Sequence, residues 1–527
     1  MQSRRQFLQH TMKLLALTSL SLAFPGQAKN SSEAYPFTLG VASGCPRSDS
    51  VMLWTRILSD PLAQQLSDSS YKVQWQVAHD EQFKHIVQTG HAYAIPELAH
   101  SIHVEVTGLQ ANRWYWYRFL LGDAESTPAR TRTAPGPHDD ALTLRFAVAS
   151  CQHWEFGEYA AHRQIALSNP DLVVFLGDYI YEWGPYDSVH PDKPRGRQIE
   201  SLDLSQYRRR YAQYKADTWL QMAHAAAPWL TIWDDHEVAN DYALDHDEGL
   251  HPSFLQRRAA AYQAFYEHMP VRLNLGAHLD FSQMRIYDHY NWGQLLRFHL
   301  LDTRQYRHYQ ACSKPGSGGS NIINSALCKE LQDARRSLLG WEQEQWLTQS
   351  LASSQARWNI LAQQTLLAPC SFSPVHNNND GRYWTDGWDG YPPARQRLLD
   401  DLLASKARNP IVISGDVHTF YAAELRRDFA QPVSASNPVI ASEFCGSSVT
   451  SSSRPQSKTE SYLQFNPHLK YGRSDLRGFM LFDVSSKQAD CRFLAINELH
   501  DPHSSVNLLK HYVLEDGASG FNESATI

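Results

Sequence analysis

The stretch Leu172-Val173-Val174-Phe175-Leu176-Gly177-Asp178-Tyr179-Ile180-Tyr181-Glu182 decides how this chain is read. It is an apolar run of strand length that stops at Gly-Asp-x-x-Tyr. Continuous apolar runs of this kind are buried strands of parallel sheets, and open α/β sheets place ligands beyond the carboxyl ends of such strands. Asp178 and Tyr181, three residues apart on a strand-end loop, can reach one metal ion, and a carboxylate can bridge two. Three further runs end in the same manner. Leu144 to Ala149 leads into Ser150-Cys151. Trp229 to Trp233 leads into Asp234-Asp235-His236-Glu237 and then Asn240. Pro410 to Ser414 leads into Gly415-Asp416-Val417-His418. Each ending alone has an ordinary explanation: Gly-Asp is a turn pair, Asp-Asp-His suits a helix start, and a lone Cys is a small apolar residue. Four endings in order, each with oxygen, imidazole or thiolate donors, point instead to one shared metal site.

The ordered set resembles the PhoD-like alkaline phosphatase and phosphodiesterase family of the calcineurin-like metallophosphoesterases. The marks are Gly-Val-Ala-Ser-Gly (40–44), Leu-Trp-Thr-Arg (53–56), Ala-Ser-Cys-Gln (149–152), Gly-Asp-Tyr-Ile-Tyr-Glu (177–182) and Trp-Asp-Asp-His-Glu-Val-Ala-Asn (233–240). Leu-Asp-Thr-Arg-Gln-Tyr-Arg (301–307), Asp-Gly-Trp-Asp-Gly-Tyr-Pro (386–392), Ser-Gly-Asp-Val-His (414–418) and Asn-Pro-His (466–468) follow. Cys45 departs from the pattern, where the family prefers Asp after Ser-Gly. The resemblance implies an α/β fold, a layered αββα sandwich with helices outside two packed sheets, and a site holding iron and calcium that hydrolyses phosphate esters.

At 527 residues the chain exceeds one small core. Residues 36–135 read as a small all-β domain of immunoglobulin or fibronectin type. Tyr71 to Val77 and Ser101 to Val106 alternate with period two, and Trp114 to Phe119 is an aromatic strand. Thr133-Ala134-Pro135-Gly136-Pro137 reads as a linker. Residues 140–510 alternate strands with helices, as a catalytic α/β layer structure does. Helices are expected at Tyr207 to Tyr214, Arg257 to His268 and Trp341 to Ser350, and strands at Leu295 to Leu301 and Arg357 to Ala362. Gly316 to Asn321 reads as a flexible surface loop. Ser447 to Ser453 and Gly517 to Ile527, the latter within a polar tail at 511–527, are polar and read as mobile.

Residues 1–28 read as a targeting signal. Ser3-Arg4-Arg5-Gln6-Phe7-Leu8 is a twin-arginine pattern, followed by an apolar stretch from Leu14 to Phe24 and the small-x-small cleavage site Gly26-Gln27-Ala28. The expected partner is the twin-arginine translocon, and the expected location is periplasmic or secreted. The apolar stretch is shorter than the ~20 residues of a membrane helix, so no transmembrane helix is expected after cleavage. Cleavage removes Arg4, Arg5 and Lys13 and no acid, taking the formal charge from −7 to −10. That excludes nucleic-acid or anionic-membrane binding by bulk charge.

An exported protein is expected to pair most of its seven cysteines. Cys312 and Cys328 flank the Gly/Ser loop, and a bridge there contributes about 3 kcal/mol in the chain-entropy model. The odd count leaves one cysteine over. Cys151, beside the site, is the natural one.

For the site itself, Cys151 and Tyr181 suit a trivalent iron, because a thiol and a phenol ionise at neutral pH only beside a strong Lewis acid. Asp178 is the bridge, and Asp416 and His418 complete the shell. The D-x-x-Y spacing also resembles the purple acid phosphatases. Asp235 and Asn240 offer oxygens to a second, harder cation, which the resemblance implies is calcium. The choice between Asp234 and Asp235 stays open, since neighbours on extended backbone point oppositely. His236 is placed for leaving-group or phosphate contact. Arg304 and Arg382 bind phosphate or pair with neighbouring acids. Trp384, Trp388 and Tyr391 line the entrance or pack together. The reading is an exported metal-dependent phosphatase with phosphodiesterase activity on small phosphate esters. The alternatives are a phospholipase D-like phosphodiesterase and an inert surface-binding protein.

Overall fold

Two sheets face each other, and the residue pattern of each strand says which way it faces. In the computed structural model, residues 34–61, 67–139, 143–184, 199–273, 280–376, 380–518 and 520–524 are described. The expected signal at 1–28 lies outside them. The first sheet has ten strands. Its centre is parallel: Thr143–Ala149 beside Leu172–Phe175, then Trp229–Thr231, then Val41–Gly44. The second sheet has seven strands. Its parallel centre runs Leu296–Leu300, Trp358–Ala362, Pro410–Ser414 and Val439–Cys445.

Alternation along the second sheet divides two cores. Ile360, Ala362, Ile411 and Ile413 face the first sheet and share its core with Phe146, Val174 and Leu230. Leu361 and Val412 point the other way, into a core with Leu347 and Leu351 of the helix Trp341–Ala352 and Leu398 and Leu402 of the helix Pro392–Ser405. The period of two in a strand puts neighbours on opposite faces. Phe146 meets Phe298 edge-on at 5.2 Å across the sheet-to-sheet layer. Behind the first sheet lie the helices Ala160–Leu167, Leu204–Lys215, Thr218–Ala226 and Phe254–His268, through Ile165, Tyr211, Leu220 and Phe265. The result is the αββα layering. The helix at Leu204 starts on a capping box, Asp203 with Gln206, a strong local stop for the preceding segment.

The N-terminal region packs its own core from Val51, Leu53, Val73, Val77, Tyr115 and Phe119. Its sheet Ile86–Ala94, Tyr71–Ala78, Trp114–Leu121 covers Val51–Arg56 and Ser101–Val106, which continue the ten-stranded sheet. Pro36–Ile527 therefore forms one compact unit.

Four expectations need correction. The Gly316 to Asn321 loop is docked, not free: Gly318 and Gly319 are buried, the Gly318 N–H donates to the Glu248 carbonyl at 2.9 Å, and that of Ser320 donates to Asp241 at 2.9 Å. Ser447, Ser448, Thr450 and Ser451 are buried, because their hydroxyls find partners inside the fold. The chain beyond 510 belongs to the sheet: Val506–Glu515 pairs with Gln488–Ile496, and Phe521 packs on Tyr512. Cys312 and Cys328 are bridged as expected, with Cα atoms 6.2 Å apart. The other five cysteines, against the expectation that most would pair, are unpaired and buried. Among the described residues no helix is long and apolar enough to cross a membrane.

Candidate metal centre

All the candidate ligands come from strand ends, and the backbone there bends sharply. Cys151, Asp178, Asp416 and His418 each hold a positive φ, between 52° and 62°. The left-handed region costs a non-glycine residue of order 1 to 3 kcal/mol, and such residues concentrate at functional sites. Gly177, with φ +102°, permits the closest approach: a Cβ there would sit 2.6 Å from Asp234 Cβ. The strand ends of Leu172–Phe175 and Trp229–Thr231 can meet only because that side chain is missing.

Three groups of donor atoms result, each within 4.8 Å of one another: Cys151, Asp178 and His418; Asp178, Asp235 and His236; and Asp234, Asp235 and Asp416. Asp178 and Asp235 each belong to two of them. The Tyr181 hydroxyl donates to Asp178 Oδ2 at 2.8 Å and lies 3.3 Å from His418 Nε2. His418 Nδ1–H donates to the Ser452 carbonyl at 2.6 Å, so Nε2 is the atom it could offer a metal. Asp178 Oδ1, Asp234 Oδ2, Asp235 Oδ1 and Asp416 Oδ2 are buried without any hydrogen-bond partner. Buried carboxylates are otherwise paired, so four such oxygens at one place form a group that could hold a metal ion.

Electrostatics agree. Burial, then the nearby Asp178 charge, pushes the Cys151 thiol and the Tyr181 phenol well up. Burial pushes Asp234 up and Asp416 up to about 8, against the pull of Arg304. Asp235 is held down at about 2, because Arg304 and His236 outweigh the cost of its burial. Without a cation the cluster holds protons that a cation would displace.

The remaining expected residues divide. His236 Nδ1–H donates to Glu182 Oε2 at 2.7 Å, and its ring packs against Tyr181 and Trp183, both with centroids at 4.2 Å. Its Nε2 is left for the site. Burial opposes its protonation, but the charges of Glu182, Asp235 and Asp178 carry its pKa well up. Asn240 donates its backbone N–H to Glu182 at 2.7 Å and its amide to Glu248 at 3.1 Å, leaving Oδ1 as a candidate ligand. Arg304 is buried against three carboxylates, Asp234, Asp235 and Asp386. Arg382 is exposed on the short strand Arg382–Trp384, and among the described residues no hydrogen bond or ion pair joins its guanidinium to the four acids. Trp388 and Tyr391 are core residues, and Trp384 is tied to Ser320 at 3.0 Å.

Three residues that hold the site escaped the sequence reading. The Glu237 carboxylate accepts the N–H groups of Asp178, Tyr179 and Asp234 at 3.0, 2.6 and 2.8 Å, locking two strand ends together. Glu182 orients His236 and Asn240. Ser451 Oγ donates to the Cys151 carbonyl at 2.8 Å and lies 2.7 Å from the Tyr181 hydroxyl. Glu182 and Glu237 stand inside the motifs already quoted. Ser451 carried no signal at all.

Comparison with known proteins gives this geometry its lineage. The PhoD-like phosphatase model matches residues 146–493, and the model of the PhoD-like phosphatase N-terminal domain matches 22–135. The chain belongs to the PhoD-like phosphatase family. Alkaline phosphatase D of Bacillus subtilis (strain 168) is 40% identical over 99% of this chain and 89% of its own length. A solved structure of PhoD superposes with a TM-score of 0.87 at 39% identity, over 95% of this chain and 94% of that one. A purple acid phosphatase from yellow lupin (Lupinus luteus) shares the fold, with a TM-score of 0.53 at 13% identity over 87% of this chain and 72% of its own. As a PhoD-like phosphatase the chain is a phosphoric ester hydrolase, and its substrate is a phosphate ester.

Proposed function

We propose that this phosphatase is an exported, two-cation enzyme that cleaves small phosphomonoesters and phosphodiesters at one site. The observation that carries the reading is the set of four buried, unpartnered carboxylate oxygens between the two sheets. Cys151, Asp178, Tyr181 and His418 form a shell suited to iron(III); Asp234, Asp235 and Asp416, with Asn240, offer the oxygens that calcium prefers. The cations, when bound, supply Lewis acidity: charge neutralisation on the phosphoryl oxygens and activation of the attacking water. The chain does the rest. Glu237 and Gly177 hold two strand ends in register so that the donors converge. Glu182 holds His236 protonated with Nε2 toward the site, where it can give its proton to the departing oxygen. A second ester arm needs only an open mouth, so a diester is accepted by the same groups. Arg382, on the surface, is available only to a substrate's outer portion. The twin-arginine pattern and the Cys312–Cys328 bridge support export to the periplasm or beyond.

The test is optical. Phenolate or thiolate bound to iron(III) absorbs visible light, so the purified protein should be coloured. Tyr181→Phe should shift or remove the band. A colourless active enzyme containing zinc alone would refute the iron assignment.

A further inference from the structure

Arg304 is a completely buried cation whose side chain has no water to lean on. Its Nε donates to Asp234 Oδ1 at 2.5 Å and its Nη1 to Asp386 Oδ2 at 2.6 Å. Its Nη2 lies 3.4 Å from Asp235 Oδ1, too long and misaligned for a hydrogen bond. The residue is presented rigidly. It follows the strand Leu296–Leu300 on a turn in which Asp302 Oδ1 accepts the N–H groups of Arg304 and Gln305 at 2.9 and 3.0 Å. Behind it, Asp386 is shared with Arg307 Nη1 at 2.7 Å and Gln310 at 2.8 Å. Arg307 thus offsets Asp386, and the charge of Arg304 is directed forward at the acids.

We propose that Arg304 is the fixed counter-charge of the Asp234–Asp235–Asp416 group: it stabilises the cation-free site and sets how weakly a cation binds there. The inference rests on the two-cation reading. A buried guanidinium surrounded by carboxylates keeps those carboxylates from repelling one another when no cation is present. The same guanidinium then repels an arriving cation that shares its anions. It occupies Asp234 Oδ1, leaving Asp234 one free oxygen, Oδ2. Both effects limit affinity, which keeps a buried site exchangeable. Two of the three guanidinium nitrogens are already held by carboxylates, which directs Arg304 to the acids rather than to a phosphate.

The experiment is calorimetric titration of EGTA-treated, full-length protein with calcium ions, for wild type, Arg304→Met, Arg304→Lys and Asp386→Asn. Arg304→Met should bind calcium about tenfold more tightly, and Asp386→Asn, which removes a nearby anion, about tenfold more weakly. Arg304→Lys keeps the charge and should stay within about threefold of wild type. Simple damage to the fold would weaken every variant, so the opposite signs separate charge from structure. EGTA-treated Arg304→Met should also melt earlier than wild type, by a margin that calcium closes. Should it fold only with calcium, that dependence is the same effect at its limit, and the order of Arg304→Lys above Asp386→Asn still decides. Equal calcium affinity in Arg304→Met and wild type would overturn the proposal. So would loss of inhibition by inorganic phosphate with calcium binding unchanged, which would make Arg304 a phosphate ligand. Wild type taking up no calcium would instead contradict the two-cation reading and remove the basis of this one.

Discussion

Asp178→Ala loses hydrolysis of phosphomonoesters and phosphodiesters together, each by about 10⁴-fold, or about 5.5 kcal/mol of transition-state stabilisation. The expectation follows from position. Asp178 alone belongs to both the Cys151–His418 group and the Asp235–His236 group. Removing it takes a ligand from the proposed iron shell and a donor from beside Asp235 and His236, and it deprives the Tyr181 hydroxyl of the carboxylate it donates to. Steady-state rates on p-nitrophenyl phosphate and bis-p-nitrophenyl phosphate are the measurement. Retention of either activity would mean that the two reactions use separate sites.

Glu237→Ala destabilises the protein by about 3 to 5 kcal/mol, a very large effect for one side chain. Its two oxygens collect three backbone N–H groups from Asp178, Tyr179 and Asp234, all in a region closed to water. Truncation leaves three buried donors unpaired, and each unmet donor costs about 1 to 3 kcal/mol. Asp178 and Asp234 are then free to move, so cation content falls as well. Glu237→Gln keeps one acceptor oxygen and should lose less. Urea unfolding at matched cation concentration decides; an unchanged midpoint in Glu237→Ala would show that these hydrogen bonds are not what holds the strand ends together.

The candidate site was legible because its chemistry is local. Each candidate ligand follows an apolar run within a few residues, and both halves of that signal lie side by side in the chain. The αββα order was legible for the same reason: buried parallel strands are continuous apolar runs, and the helices at Leu204–Lys215, Phe254–His268 and Trp341–Ala352 carry clear patterns. What stayed hidden depends on distant partners. Ser447 to Ser451 is polar and Gly-flanked, the composition of a free loop, yet it is buried because Cys151, Tyr181 and Leu476 supply its partners. The strand Val506–Glu515 looks polar because it lies near the sheet edge with one face in water. The helices Ala160–Leu167 and Thr218–Ala226 are short, at eight and nine residues; the first starts without a side-chain cap, and only the second carries one, Asp217. The unpaired cysteines followed no compartment rule: all five are free and buried.

The central claim is that strand ends of two sheets assemble one two-cation site, and elemental analysis of the pure protein tests it most directly. The account predicts iron and calcium, each near one equivalent per chain, with mono- and diesterase activity lost on chelation and restored together when the cations are returned. Full activity in protein shown to be free of bound metal would contradict it.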